Sequence, residues 1–197
     1  MNAWREAVTL SGQHVTLRPL VRSDRDAIVA ALADVGPSFA TIVPDAATID
    51  GWYDAIEQQA AAGRALPFVV LDAAGTIAGV TRFLRMNEAH HRLEIGGTVY
   101  APRVQRTGVN TEAKRLLLLH AFDVLDCQCV QLRTNVLNRA SRVAIERLGA
   151  RLDGVLRGHM VTAGNEVRDS AVYSIVAHEW PQVRRNLDHL LARRDTR

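Results

Sequence analysis

Lysine is almost missing from this chain: of its 24 basic residues only Lys114 is a lysine, the rest being arginine. We read that bias as a mark of GC-rich coding rather than of a binding demand. Cysteine is nearly absent too. Cys127 and Cys129 stand at i and i+2, which in a strand sets their side chains parallel on one face, unsuited to a mutual disulfide or a four-ligand zinc site. They read as buried apolar residues. No segment approaches the ~20 apolar residues needed to span a bilayer, and the N-terminus MNAWREAVTL lacks a basic region followed by a long apolar run. The expectation is therefore a cytoplasmic protein with no membrane partner. Aromatic residues make up 5% of the chain, and none follows Trp180, where Arg184, Arg185, Arg193, Arg194 and Arg197 cluster. Without interleaved aromatics that cluster reads as a solvated terminal helix and tail, not as a nucleic-acid patch. The net charge of +3 is compatible with a phosphate-bearing ligand or an acidic partner but selects neither.

What is present is enough hydrophobic residue, 48% of 197, for one well-buried domain over residues 1–197, with a core at about 13–181 and a basic helix and tail at 182–197. Residues 14–18 alternate and stop at Pro19, as a strand would. Ser23 and Asp26 resemble a capping pair for a helix to about Asp34. Residues 36–48 read as a loop after Gly36-Pro37, and 49–62 as a helix ended by Gly63. A meander of short strands follows at 66–71, 76–85 and 93–100. Helical spacing then runs over 111–125, capped by Asn110 or Thr111. A strand at 130–135, a helix at 139–148 stopped by Gly149 and a hairpin of 152–160 with 168–177 complete the order. Clustered strands with one β-α-β crossover near the middle predict an α+β or mixed α/β fold.

The crossover carries the strongest local signal. A strand to Tyr100, a turn at Ala101-Pro102 and a polar loop of residues 103–110 feed directly into an apolar helix, and backbone N–H groups at a helix N-terminus form an anion site. Up to five N–H groups between Val104 and Asn110 would surround a pyrophosphate, with Gly108 allowing close approach and Arg103 and Arg106 adding charge. Glu112, in the first helical turn, would repel phosphate, so its side chain should point away. Gly96-Gly97 inside the preceding strand marks either a bulge, a close backbone approach, or plain helix packing.

Gln105, Gly108 and Asn110 in the spacing Q-x-x-G-x-N resemble the pyrophosphate loop of Gcn5-related N-acetyltransferases, although Asn110 stands where Gly or Ala is commoner. Asn138-Arg-Ala-Ser141 with Ala144-Ile-Glu-Arg-Leu-Gly149-Ala, then Gly154-Val-Leu-Arg157, Arg168-Asp169 and Tyr173-Ser174, extend the likeness over about residues 13–181. The order is similar to the RimJ/RimL-type branch, which acetylates ribosomal-protein N-termini. The resemblance implies a twisted, mostly antiparallel mixed sheet splayed near its centre, with flanking helices and with pantetheine lying along a bulged strand. It implies acetyl-CoA as co-substrate, no metal, and an amine acceptor, most naturally a protein or peptide N-terminal α-amine attacked directly without a covalent enzyme intermediate. A small amine such as a polyamine or an amino-sugar antibiotic, a non-catalytic CoA-binding or ribosome-binding module, and a homodimer stay open.

Carried over residue by residue, the likeness assigns cofactor contacts to Val99, Gln105, Arg106, Thr107, Gly108, Val109, Asn110, Thr111 and Asn138. Superfamily members that use a glutamate base place it on the strand upstream of the bulge, which points to Glu94. The alternative is a solvated Glu paired with a neighbour such as Arg92. His90, His91, His159 and Asp169 rank behind it. Ser141, where many members outside this branch carry a tyrosine, would hydrogen-bond the leaving thiolate or relay a proton from water. Asn138 and Ser141 also fit a plain helix cap by spacing, and both roles can hold together.

Overall fold

The computed structural model describes residues 2–36, 43–162 and 164–195. Its strands are β1 (Leu10–Ser11), β2 (Val15–Pro19), β3 (Leu66–Asp72), β4 (Ile77–Asn87), β5 (Arg92–Tyr100), β6 (Cys129–Asn135), β7 (Arg151–Val161) and β8 (Val167–Val176). Among the described residues they form one sheet in the order β1-β2-β3-β4-β5-β6-β8-β7, antiparallel throughout except for β5 against β6. A parallel pair needs a crossover. Here it is a helix, α3 (Val109–Leu119), continued by a π-helical turn over His120–Val124. The other helices are α1 (Arg25–Leu32), α2 (Ile49–Ala61), α4 (Arg139–Leu148) and α5 (Trp180–Asp195). None of the helices among the described residues is long and apolar enough to cross a membrane.

Alternation along the strands sends apolar side chains to two faces. On the α3 face, Phe68, Phe83, Leu93, Ile95, Val130, Leu132 and Ile175 pack with Leu117 and Leu118 in the main core. On the opposite face, Val69, Val80 and Val99 pack with Ile28 and Leu32 of α1 and Ile49 and Tyr53 of α2. These two helices cover β3, β4 and the end of β5, and leave the neighbouring part of the sheet open.

Two irregularities make the site. Val80 pairs with Val99 and Arg82 with Gly96, so Gly97 and Thr98 together oppose Thr81 in a β-bulge. Gly97 takes φ +57°, a region glycine enters without a side-chain clash. The extra residue changes which side chains face α3: Leu93 and Ile95 before it, Thr98 and Tyr100 after it. The second irregularity is the short reach of the parallel pairing, which covers only Arg92 with Cys129, Leu93 with Val130 and Glu94 with Gln131. Beyond Glu94 the strands part, leaving the rest of β5 without a strand on that side.

Several sequence expectations change. β1 was not anticipated. α3 starts at Val109 with Gly108 as N-cap, so neither Asn110 nor Thr111 caps it. Ser23 does not cap α1; Asp24 instead accepts from Val21 N–H (3.1 Å) and pairs with Arg18 (2.6 Å). Of the expected loop, residues 37–42 lie outside the described residues. The C-terminal helix is docked rather than solvated, with Trp180, Val183 and Leu187 buried and the Trp180 indole donating to Asp123 (2.8 Å). Both cysteines are free, and burial pushes the Cys127 thiol up to about 12.

Candidate active site

The loop before α3 divides its backbone N–H groups between itself and solvent. Val104, Gln105 and Thr107 donate within the loop, to Ala101, Pro102 and Val104, and Val109 donates to Thr107 Oγ1 (3.3 Å). That is a smaller anion nest than five N–H groups. Gly108, Asn110 and Thr111 make no N–H bond to the described residues, and they lie at the positive end of α3. An anionic group therefore fits here. Gly108 has an ordinary helical φ of −68°; what requires glycine is contact, since a Cβ there would lie 2.9 Å from the His14 ring. Arg103 is turned away, paired with Asp72 and bonded to Ile77 C=O (2.8 Å). Gln105 Nε2 ties the loop back to Tyr100 C=O (3.2 Å), and Thr111 Oγ1 accepts from Arg147 (3.0 Å). Val99 turns its side chain into the cluster under α1 and α2 and offers the ligand side only its backbone. Arg106 holds the left-handed φ of +63° at the loop tip. Glu112 does point away. Its carboxylate accepts from Gln13 (2.9 Å), His14 (2.5 Å) and Val15 (2.9 Å) N–H.

Glu94 is 4% exposed, at the last residue pair before β5 and β6 part. It is neither solvated nor paired with Arg92. Its Oε2 accepts from Arg85 (2.8 Å) and lies 3.0 Å from Arg133 Nε, whereas Oε1 has no protein hydrogen bond among the described residues and faces the space beside Gly96. Alternation places Arg82 of β4, Arg133 of β6, and Arg168 and Ser170 of β8 on the same open face. His159 of β7 joins them: its Nδ1 bonds Ser170 Oγ (2.9 Å) and its Nε2 lies 3.5 Å from Arg133. Burial and the charges of Arg133, Arg85 and Arg168 lower the His159 pKa, which keeps the imidazole neutral at neutral pH. Of the lesser candidates for a base, His159 is thus beside Glu94. His91 is instead held at Asp126 C=O (3.0 Å) on the turn after β4, and Asp169 caps Gly158 N–H (2.8 Å).

Asn138 caps α4, its Oδ1 accepting from Ser141 N–H (3.0 Å), and Gly149 closes that helix at φ +106°. The capping role is real, and it leaves the Asn138 amide N–H groups and the Ser141 hydroxyl for other partners. Sequence reasoning passed over the arginines around Glu94, although Arg82, Arg133 and Arg168 each interrupt a run that otherwise reads as strand. It also passed over Lys114. That side chain is buried on the α3 face, donating to Thr98 Oγ1 (2.7 Å) and weakly to Thr81 Oγ1 (3.4 Å) across the bulge, and burial pulls its pKa down to about 7.

A helix terminus whose first N–H groups have no protein partner among the described residues, a strand parted from its neighbour and a buried carboxylate at the parting make up this architecture, and known proteins share its fold. A family model described as an acetyltransferase (GNAT) domain matches residues 14–151. A GCN5-related N-acetyltransferase from Brucella melitensis superposes with a TM-score of 0.85 at 30% identity, covering 94% of this chain and 86% of that one. The protein "Putative ribosomal N-acetyltransferase YdaF" of Bacillus subtilis is 28% identical over 106 residues, 54% of this chain and 57% of that relative, so the match spans little more than half its length. Mycobacterium smegmatis RimJ in complex with CoA-disulfide shares the fold, with a TM-score of 0.78 at 24% identity over 98% of this chain and 97% of that one. The chain belongs to the GNAT acetyltransferase family.

Proposed function

We propose that this enzyme acetylates the α-amine of a protein or peptide N-terminus in the cytoplasm, with Glu94 as the proton acceptor. The observation that carries the reading is Glu94 itself, a buried carboxylate at the opening of the sheet with one oxygen anchored by two arginines and the other left to accept. Acetyl-CoA supplies an activated acyl thioester; the chain's own residues bind it, orient the amine and take the proton. The N–H groups of Gly108, Asn110 and Thr111, in the loop shaped by Gln105, Arg106, Thr107 and Val109, hold the pyrophosphate. The free edge of β5 around Val99 holds the pantetheine. Asn138 donates to its amides, and the Ser141 hydroxyl donates to the departing thiolate.

Electrostatics favour the α-amine. Arg82, Arg85, Arg133 and Arg168 raise the positive potential beside Glu94, which disfavours an ammonium there. Near pH 7.5 about a third of free α-amines are already neutral, against about one lysine in a thousand. A polyamine, with several such charges, is repelled more strongly. The test is a pH–rate profile for wild type and Glu94→Gln on a peptide with a free N-terminus and on the same peptide N-blocked but bearing lysine. We expect the free N-terminus to be preferred, and Glu94→Gln to lower turnover at neutral pH by roughly 10²-fold, less as pH rises. A wild-type profile for the variant removes Glu94 as base, and preference for the blocked lysine peptide removes the N-terminal reading. Absence of turnover despite CoA binding would identify a binding module instead.

A further inference from the structure

Among the described residues, the open face around Glu94 gathers four arginines about one carboxylate. Its cations are Arg82, Arg85, Arg133 and Arg168, and Glu94 is the carboxylate that meets them: it spends Oε2 on Arg85 and Arg133. The other nearby carboxylates are engaged elsewhere, Asp169 with Gly158 N–H (2.8 Å) and Asp153 with Ser174 Oγ (2.7 Å). His159 brings no carboxylate, only a neutral ring between Arg133 and Ser170.

Arg82 is the telling residue. It is half-buried and makes no ion pair among the described residues, and its buried Nε has no hydrogen-bond partner. The guanidinium lies against the bulge, where a Cβ on Gly97 would come within 2.6 Å of its Nε. Arg168 reaches the same face from β8, donating to Ser170 Oγ (3.2 Å). Burial lowers the pKa of both, opposed by the charge of Glu94. A guanidinium such as that of Arg82, partly withdrawn from water and without an ion pair among the described residues, is a strong site for a carboxylate, which its planar fork can bind bidentately.

We infer that the acceptor carries a carboxylate close to its amine, and that Arg82 and Arg168 bind it while the amine reaches Glu94. Register sets the spacing. Arg82 pairs with Gly96, and Leu84 with Glu94, so Arg82 and Glu94 are diagonal neighbours on one face, ~7 Å apart. Such a gap matches an N-terminal amine and an acidic side chain at the first or second position of a peptide, one or two residues of chain. This inference rests on the α-amine reading for the identity of the amine, but its charge requirement can be tested separately.

The experiment measures kcat/KM for peptides that differ only at their first two residues, acidic, neutral or basic. The series is run once with free N-termini and once with blocked N-termini and an acceptor lysine preceded by the same residues. Free glutamate serves as an additional acceptor. We expect the acidic member to lead the neutral one by at least tenfold and the basic one to be poorest. The lead should shrink severalfold in Arg82→Gln and in Arg168→Gln, and in wild type as salt screens the charges. The same ranking is expected without turnover, as calorimetric affinities of Nα-acetylated acidic and neutral peptides for the CoA-bound protein. If the lysine series is faster overall but still ranks by charge, the N-terminal reading fails and this one stands. Free glutamate outrunning every peptide likewise keeps the carboxylate requirement and removes the peptide. No charge ranking in rates and none in affinities, or a lead that survives both arginine substitutions, overturns it.

Discussion

A single buried lysine shows how one residue's charge state can be decided by its surroundings. Lys114 donates to two threonines across the bulge and has no carboxylate among its partners, so desolvation dominates and its amine titrates near about 7. In the unfolded chain a lysine titrates near about 10.4. Between those values the unfolded chain binds the extra proton, so this residue makes stability rise as pH increases through that window and contributes no slope below it. Lys114→Met removes the effect while keeping an unbranched stem. Relative to wild type, the variant should be more stable at pH 7 than at pH 10 by on the order of 3 kcal/mol. Urea unfolding of both proteins at the two pH values reads this directly, and an unchanged gap would show that Lys114 stays charged inside the fold.

Elements are joined here by side chains that complete one another's backbone. Glu112, on the first turn of α3, gathers the N–H groups of residues 13, 14 and 15 and so fastens the β1–β2 turn beside the loop before α3. Gly12 belongs to this arrangement, since a Cβ there would meet the Glu112 carboxylate at 2.4 Å. Glu112→Ala strands three donors, one of them on buried Val15. It should cost about 3 kcal/mol, measured as a shift in denaturant midpoint. Glu112→Gln, which keeps acceptors but loses the charge, should cost less. A further consequence is weaker CoA binding in Glu112→Ala, because the His14 ring that packs on Gly108 is no longer held.

Across the whole molecule, one face of the sheet is a continuous core closed by α3 and α5, and the other is half covered by α1 and α2 and half left to arginines. The closure by α5 makes a prediction. Leu187 is 0% exposed within the main core, so Leu187→Ala should destabilise by about 2–5 kcal/mol. A change under about 0.5 kcal/mol, the usual surface value, would mean the helix is peripheral after all. The C-terminal arginines misled on this point because charge says where a helix meets water, whereas Trp180, Val183 and Leu187, at helical spacing on its other side, say where it docks.

What the sequence by itself determined is local. Period-2 alternation located most strands, Asn138 and Gly149 bounded α4, and the polar loop of residues 103–110 led into α3, because periodicity, capping and turn chemistry act within a few residues. Glu94 entered as a candidate through the family resemblance, which points to the strand ahead of the bulge. Its environment was not legible. Arg85, Arg133, Arg168 and His159 reach it from separate strands, and only the pairing of β4, β5, β6, β8 and β7 decides that they share a face. The same holds for Lys114, whose charge depends on how much water α3 and the sheet exclude together. Hydrogen bonding across strands and desolvation are properties of the assembled fold, which is why the surroundings of Glu94 and Lys114 are visible only there.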